Sequence, residues 1–324
     1  MHRTALGMLL LAVPVCVLVG GTVFFGSASI GLSDVWDALF FKGKPFAEDV
    51  VWQIRIPKAC SAILSGVSLA VSGLVLQSVF KNPLAGPFVL GVSSGANLGV
   101  ALVLLAGFGK GSLGVVPGAA VGAFAVVWIV LFASRFVAHS VSLLIVGLMV
   151  GYFVDAVVAF LMSVSSAESL RGFVSWGMGS FSRVPLASIG SFAFVAALGT
   201  LPCLLCLRYL NAAQVGDSFA ESLGIRVKFS RMIVLFGASL LAAGSTVYCG
   251  PIGFLGLASP HIAFGIFRTT NHRVLLPASA LVGANLALLS GLVSGIPLSS
   301  VTSLVGAPIV LWIFLRSGRG GGNG

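Results

Sequence analysis

The chain has 324 residues, of which 58% are apolar and 8% charged, with a mean hydropathy of +1.11. Soluble domains carry about 25% charge, so this composition excludes a soluble enzyme with one anchor and requires many bilayer crossings. Lys and Arg total 18 against 8 acids, a formal net charge of +10, but no basic run is long enough for nucleic acid, and the cations sit between apolar segments, where they orient a membrane protein.

At roughly 20 residues per crossing, the apolar runs predict an all-α domain over 1–324 with ten spans: 5–26, 58–80, 84–106, 115–134, 141–163, 189–207, 231–249, 254–267, 274–293 and 300–316. The chain starts like a signal peptide, with His2 and Arg3 before an apolar stretch, but no small-x-small cleavage site follows and a retained first span is expected. The eighth span is too short to cross untilted and is expected to be broken or shielded by protein. Ten crossings put both termini on one side. With the termini inside, the cytoplasmic loops hold Arg3, Lys81, Arg135, Arg208, Arg226, Lys228, Arg231, Arg268, Arg273, Arg316 and Arg319 against Asp217 and Glu221. Outside, Lys42, Lys44, Arg55, Lys58, Lys110, Arg171 and Arg183 are offset by Asp34, Asp37, Glu48, Asp49 and Glu168, so both termini are predicted to be cytoplasmic.

Residues 54–97 carry the strongest local pattern: Arg55-Ile-Pro-Lys58, a Gly/Ser-rich helix to Gln77, Lys81-Asn-Pro-Leu-Ala-Gly-Pro87 and Leu90-Gly-Val-Ser-Ser-Gly-Ala96. Pro83 and Pro87 break the chain between two spans and Asn82 is placed to cap the following helix; by itself this describes a tight membrane hairpin. Arg55 and Lys58 stand at the outer mouth of the second span, as snorkelling cations or as a docking surface. Gly66–Gly73 in the second span echoes Gly237–Gly244 in the seventh, and each is followed by a Pro-initiated segment with Leu-Gly, Pro87 to Gly91 and Pro251 to Gly256. Spans five apart run in opposite directions, so this predicts an inverted repeat, a common transporter plan, although small-residue helix faces also resemble one another by chance.

The longest cytoplasmic connection, 211–230, reads as two short helices separated at Gly224. Phe219, Leu223 and Ile225 beside Asp217, Glu221, Arg226 and Lys228 suit either a partner-facing surface or an amphipathic loop. Asp155 is the one acid within a span, which lines a path or bonds to a neighbouring helix, the latter favoured. Cys203 and Cys206 have redox or metal spacing but lack a second pair or a His in the run AALGTLPCLLCLRYL, and read with Cys16, Cys60 and Cys249 as core residues. His2, His139, His261 and His272 fall at or near cytoplasmic helix ends. No P-loop, paired carboxylates or nucleophile elbow occurs, so no catalytic residues and no cofactor of the chain's own are expected.

Taken in order, these motifs resemble the FecCD family of bacterial importer permeases for iron siderophores, haem and vitamin B12. Its R-x-P-R, N-P-L-A-x-P and L-G-x-S-x-G-A patterns match, with Lys58 in place of the second Arg, as do GDSFAESLGIRV from Gly216 to Val227, GFLGL from Gly253 with Pro260-His-Ile262, and VTSLVGAP from Val301 to Pro308. The resemblance implies a type II importer fold whose two copies line a central path in the bacterial inner membrane. It also implies two P-loop ATPase subunits carrying ATP and Mg, and a periplasmic binding protein that delivers the substrate. On this basis Gly216, Asp217, Ala220, Glu221, Leu223, Gly224 and Ile225 form the ATPase-coupling loop, Arg55 and Lys58 dock the binding protein, Asn82, Leu84, Ser140 and Val141 form a cytoplasmic gate, and Asp155 stands by the pathway. Two departures stand out. Phe264 occupies a position that is Arg in many relatives, and SGLVSGIPLSS replaces a segment with family Asp and Arg residues, so the resemblance does not carry over a third basic docking contact. An ion-gradient-driven transporter is the alternative, with Asp155 as its only intramembrane carboxylate.

Overall fold

Inside hydrocarbon a backbone amide finds no water, so apolar runs satisfy their N–H and C=O groups internally as helices. The computed structural model describes residues 2–26, 28, 30–108, 114–136, 140–293 and 296–319. Among these the order is α1 (His2–Phe24), α2 (Leu32–Leu39), α3 (Pro45–Asp49), α4 (Ile56–Phe80), α5 (Val92–Leu104), α6 (Val115–Phe136), α7 (Ser140–Ser163), α8 (Ala167–Gly177), α9 (Leu186–Leu205), α10 (Leu207–Val215), α11 (Asp217–Ser222), α12 (Val227–Cys249), α13 (Leu255–Phe267), α14 (His272–Leu292) and α15 (Leu298–Arg319). A π-helical turn, Val50–Arg55, joins α3 to α4 without a break, giving an apolar helical stretch of 36 residues, Pro45–Phe80. Seven helices are long and apolar enough to cross a membrane, and three shorter apolar helices, Val92–Leu104, Leu255–Phe267 and Leu298–Leu311, occupy the third, eighth and tenth expected spans.

Two of those short helices have a common cause. The third span was expected from 84, yet α5 starts at Val92. Asn82 does not cap it; its Oδ1 accepts from the Leu84 N–H at 2.9 Å in a local turn. Pro83 and Pro87 then withhold donors, a single 3-10 turn covers Pro87–Leu90, and Gly91 at φ 69° redirects the chain. The stretch from Gly250 (φ 80°) to Phe254 (φ 62°) does the same before α13. Both irregular stretches reach into the bundle: Pro87 lies against Gly256 in the first turn of α13, and Ser93 in the first turn of α5 bonds Thr246 in the last turn of α12 at 3.2 Å. Ala85, Gly86, Pro87, Gly91, Gly250 and Ile252 are all buried, so protein rather than lipid covers this non-helical backbone.

The helix α4 runs through the middle, packed on α12, α13 and α14. Small residues allow its backbone to touch theirs: a Cβ built on Gly66 would lie 2.3 Å from the Gly283 oxygen, and one on Gly73 only 1.7 Å from that of Gly256. Ser65 and Ser245 Oγ atoms are 2.6 Å apart, while Ser72 Oγ donates to the Ala238 carbonyl at 2.8 Å. Residue numbers rise on α4 as they fall on α12, so the two repeat-bearing helices cross antiparallel, the relation an inverted repeat requires. The helix α1 is peripheral, with 11% of its apolar window buried, and is fastened to α14 by Asn285 Nδ2 donating to the Leu11 carbonyl at 2.9 Å.

The connection after α9 differs from the expected loop. It is helical from Leu207, breaks at Gly216, and α12 already begins at Val227; Gly224 ends α11 rather than separating two loop helices. The amphipathic α8, capped by Ser166 accepting from the Ser169 N–H, was not anticipated, because its mixed polarity reads as loop when spans are sought. We predict that Gly73→Ala, whose methyl group overlaps the Gly256 carbonyl, lowers the thermal midpoint in detergent by more than about 1 kcal/mol of stability. Gly190→Ala, with nothing within 4 Å, leaves it unchanged or slightly raised.

Candidate functional site

At one end of the bundle, α10 and α11 cross the ends of α9 and α12. Asp217 opens α11 and pairs with Arg231 in the second turn of α12, whose Nε also lies 3.5 Å from the Tyr209 hydroxyl of α10. The Arg231 side chain is 10% exposed and the Asp217 side chain 45%. Burial raises the Tyr209 phenol above its ordinary range, opposed by the hydrogen bond and charge of Arg231. One carboxylate thus ties the short helix α11 to a guanidinium rooted in the core.

Beyond this tie, Ala220 faces inward and is buried, Gly216 and Ile225 are half-buried, and Glu221, Leu223 and Gly224 are exposed. The Ile225 N–H donates to the Ala220 carbonyl at 3.1 Å and that of Gly224 to Glu221 at 2.9 Å. Gly224 holds φ 75°, a conformation in which a side chain is strained. The result is an open groove of about 590 Å³ lined by Arg208, Asn211, Ala212, Phe219, Leu223, Gly224 and Ile225. Phe219 and Leu223 are 45% and 59% exposed. Apolar side chains presented on a rigid rim beside a cation have the make-up of a protein-binding patch.

At the same end, Asn82 is half-buried and Leu84 exposed, and the Pro83 carbonyl between them accepts from His261 Nε2 at 2.8 Å. Asn82, Pro83 and His261 border a cavity of about 290 Å³ whose other walls include Gln77, Ser78, Gln214 and Phe264. Ser140 opens α7 with Val141 next, but both side chains lie outside the described residues, as does His139. The structure therefore groups Asn82 and Pro83 with α13 and α10. That partnership was not visible in sequence, where these segments stand more than a hundred residues apart.

The other end corrects one expectation. Arg55 is 4% exposed, with Nη1 donating to the carbonyls of Val23 (2.9 Å) and Phe24 (3.0 Å) and Nη2 to that of Ala28 (2.9 Å). The last carbonyls of α1 have no partner within the helix and form the negative end of its dipole, so the guanidinium fork closes the helix instead of facing a docking protein. Lys58 is half-buried beside Gly291 of α14. Arg183 closes α8 in the same way, donating to Trp176 and Ser175 carbonyls at 3.2 and 3.0 Å, and burial lowers its pKa from the ordinary value.

Asp155 lies on an exposed face of α7 with Tyr152 and Ala156, and among the described residues it has no hydrogen bond to a neighbouring helix. Cys203 Sγ lies 3.4 Å from the Gly199 carbonyl as a packing residue, and both it and Cys206 are free thiols. Among the described residues no three His, Cys, Asp or Glu side chains gather as a metal site. Arg231, Tyr209 and His272 were missed as site residues. The available signal was a polar or ionisable residue placed just inside an apolar run.

Comparison with known proteins agrees with this arrangement. The model of the FecCD transport family matches residues 10–316. Vitamin B12 import system permease proteins BtuC from Escherichia coli (strain CFT073) and Shigella sonnei (strain Ss046) are each 36% identical over 287 residues, covering 85% of this chain and 86% of theirs. A solved structure described as a metal-chelate type ABC transporter in an inward-facing conformation superposes with a TM-score of 0.83 at 27% identity, covering 97% of this chain and 99% of that one. PsaBC from Streptococcus pneumoniae, in complex with Fab, shares the fold with a TM-score of 0.57 at 16% identity, over 86% and 95% of the two chains. The chain belongs to the FecCD transport family, as a multi-pass membrane permease subunit.

Proposed function

We propose that this chain is the permease of an ATP-driven ABC importer that moves a ferric siderophore, haem or cobalamin from periplasm to cytoplasm across the bacterial inner membrane. Two copies line the path, with the exposed α7 face and Asp155 turned toward it. Two P-loop ATPase subunits, carrying ATP and Mg, sit in the grooves beside α11, and a periplasmic binding protein delivers the substrate at the end bearing Lys58. Both termini lie on the cytoplasmic side. The observation that carries the reading is the exposed apolar groove around Phe219, Leu223 and Gly224, tied to α12 by the Asp217–Arg231 pair. The B12 permease relatives and the metal-chelate transporter support the substrate class.

In this mechanism the chain changes no covalent bond. Nucleotide-driven movement of the ATPases presses on α11, which passes it through Asp217 and Arg231 to α12, and α12 lies against α4 through Ser72 and Ser65. Asn82, Leu84, Ser140 and Val141 act as the cytoplasmic gate at the end of that line.

The assembly is tested by native mass spectrometry of the tagged chain purified from its own membrane in mild detergent. Two copies with two P-loop ATPases are expected; a reproducible complex with no ATPase, even after crosslinking, overturns the reading. We predict that Leu223→Glu with Gly224→Val leaves membrane insertion intact and weakens ATPase co-purification by about ten-fold or more. The two outer cations are expected to separate. Arg55→Ala orphans buried carbonyls and lowers stability by about 1–3 kcal/mol, seen as a reduced thermal midpoint. Lys58→Glu folds normally and weakens binding-protein docking in a way that depends on salt; unchanged docking at low salt removes Lys58 from that surface.

A further inference from the structure

One polar cluster joins three helices and belongs neither to the groove nor to the gate cavity alone. His272, the first residue of α14, is 0% exposed. Its Nε2 lies 2.6 Å from Ser78 Oγ in the last turn of α4, and its Nδ1 2.9 Å from Asn211 Oδ1 on α10. The same Asn211 oxygen accepts the His272 backbone N–H at 2.8 Å, which fixes the amide orientation, and Asn211 Nδ2 donates to Asn271 Oδ1 at 3.2 Å. The protons then have one arrangement. A carbonyl oxygen only accepts, so in the neutral ring Nδ1 carries the imidazole proton and Nε2 takes the Ser78 hydroxyl proton, in competition with the Leu74 carbonyl 2.9 Å from the same oxygen. Gln214, one turn along α10, holds the adjoining Thr270 carbonyl at 3.1 Å.

The two ends of this chain of bonds open on different spaces. Asn211 lines the groove that carries Phe219 and Leu223, whereas Ser78 lines the cavity beneath Asn82, Pro83 and His261. Three residues beyond Ser78, α4 ends at Lys81 in a left-handed conformation, φ 48°, and enters the Asn82 turn. Hydrogen bonds weaken steeply once stretched beyond about 3.5 Å, so α10 cannot shift by as much as an ångström relative to α4 without either carrying Ser78 with it or breaking the chain.

We propose that Ser78, His272 and Asn211 are positioning residues that transmit occupancy of the groove by its ATPase to the cytoplasmic end of α4. This rests on the importer reading and adds a second line of transmission, separate from Asp217–Arg231. The link works as a strut: seating of the partner moves α10, and the imidazole, braced on both nitrogens, moves the Lys81–Pro83 turn. It requires a neutral ring with its proton on Nδ1.

The test uses the whole permease with its ATPase in lipid nanodiscs, its five cysteines replaced and a single reporter introduced as Lys81→Cys. The rate of maleimide labelling is measured with and without ATP, so no substrate need be known. With the strut intact, labelling is expected to change on adding ATP; failure to bind an ATPase, or no change at all in this parent, defeats the importer reading itself. His272→Phe and Ser78→Ala are each expected to keep ATP hydrolysis and reduce the ATP-dependent change by about five-fold. Combined, they go no further than either alone, because both cut one link. His272→Gln, which keeps a polar partner for Ser78, restores part of the change. If His272→Phe fails to fold, Ser78→Ala decides alone. Variants that assemble, hydrolyse ATP and retain the full change, or that add independently, overturn the proposal.

Discussion

The fold depends on α4 being able to approach its neighbours backbone to backbone. In a bilayer there is little hydrophobic gain from bringing apolar helices together, since lipid solvates them equally well; contact area and close polar bonds must supply the attraction. Gly66 and Gly73 remove the side chains that would hold α14 and α13 away, and Ser65 and Ser72 add bonds to α12 at the same short range. A central helix of leucines would be equally hydrophobic and would leave its neighbours farther apart. The tight centre is also what buries the non-helical backbone around Pro87 and Gly250, which could not exist against lipid.

That centre explains how a chain with few charges distributes them. Arg55 and Arg183 close helix ends, and Arg231 anchors α11. In each case a guanidinium is held by several acceptors, the arrangement that offsets the desolvation of a buried cation. Lys44, which carries a compact and strongly hydrated charge, stays at the surface, 79% exposed in its pair with Asp34. Against this background the exposed apolar groove at α11 is the distinctive feature of its end of the bundle. In the proposed importer, in which ATP is hydrolysed on a separate subunit, this groove is the seat of that subunit.

Much of this was legible in the sequence and some was not. Apolar runs located the crossings, since span length is set by bilayer thickness, and the Gly/Ser repeat marked the two antiparallel helices. The segment from Gly216 to Ile225 was legible as a surface because apolar residues there interrupt a polar stretch. Arg55 was misread: from sequence a cation beside a span looks exposed, and only the return of α1 to the same end brings orphan carbonyls to it. The late start of α5 was hidden because the apolar content of 84–91 continues the pattern that marks a span, while the prolines act on hydrogen bonds that hydropathy does not register. His272 was placed correctly at a helix end, yet its partners come from residues 78 and 211, and pairings at that separation leave no local trace.

The fastening of α1 has a consequence for how the protein is made. Leu11 meets Asn285 only after a further 274 residues have been synthesised, an interval of roughly 14–55 s at ordinary translation rates. Through that interval α1 lacks its contact with α14, while Arg55, whose guanidinium binds the Val23 and Phe24 carbonyls, follows it within a few seconds. Of the described helices, α1 is therefore made before the others and docked on α14 among the last.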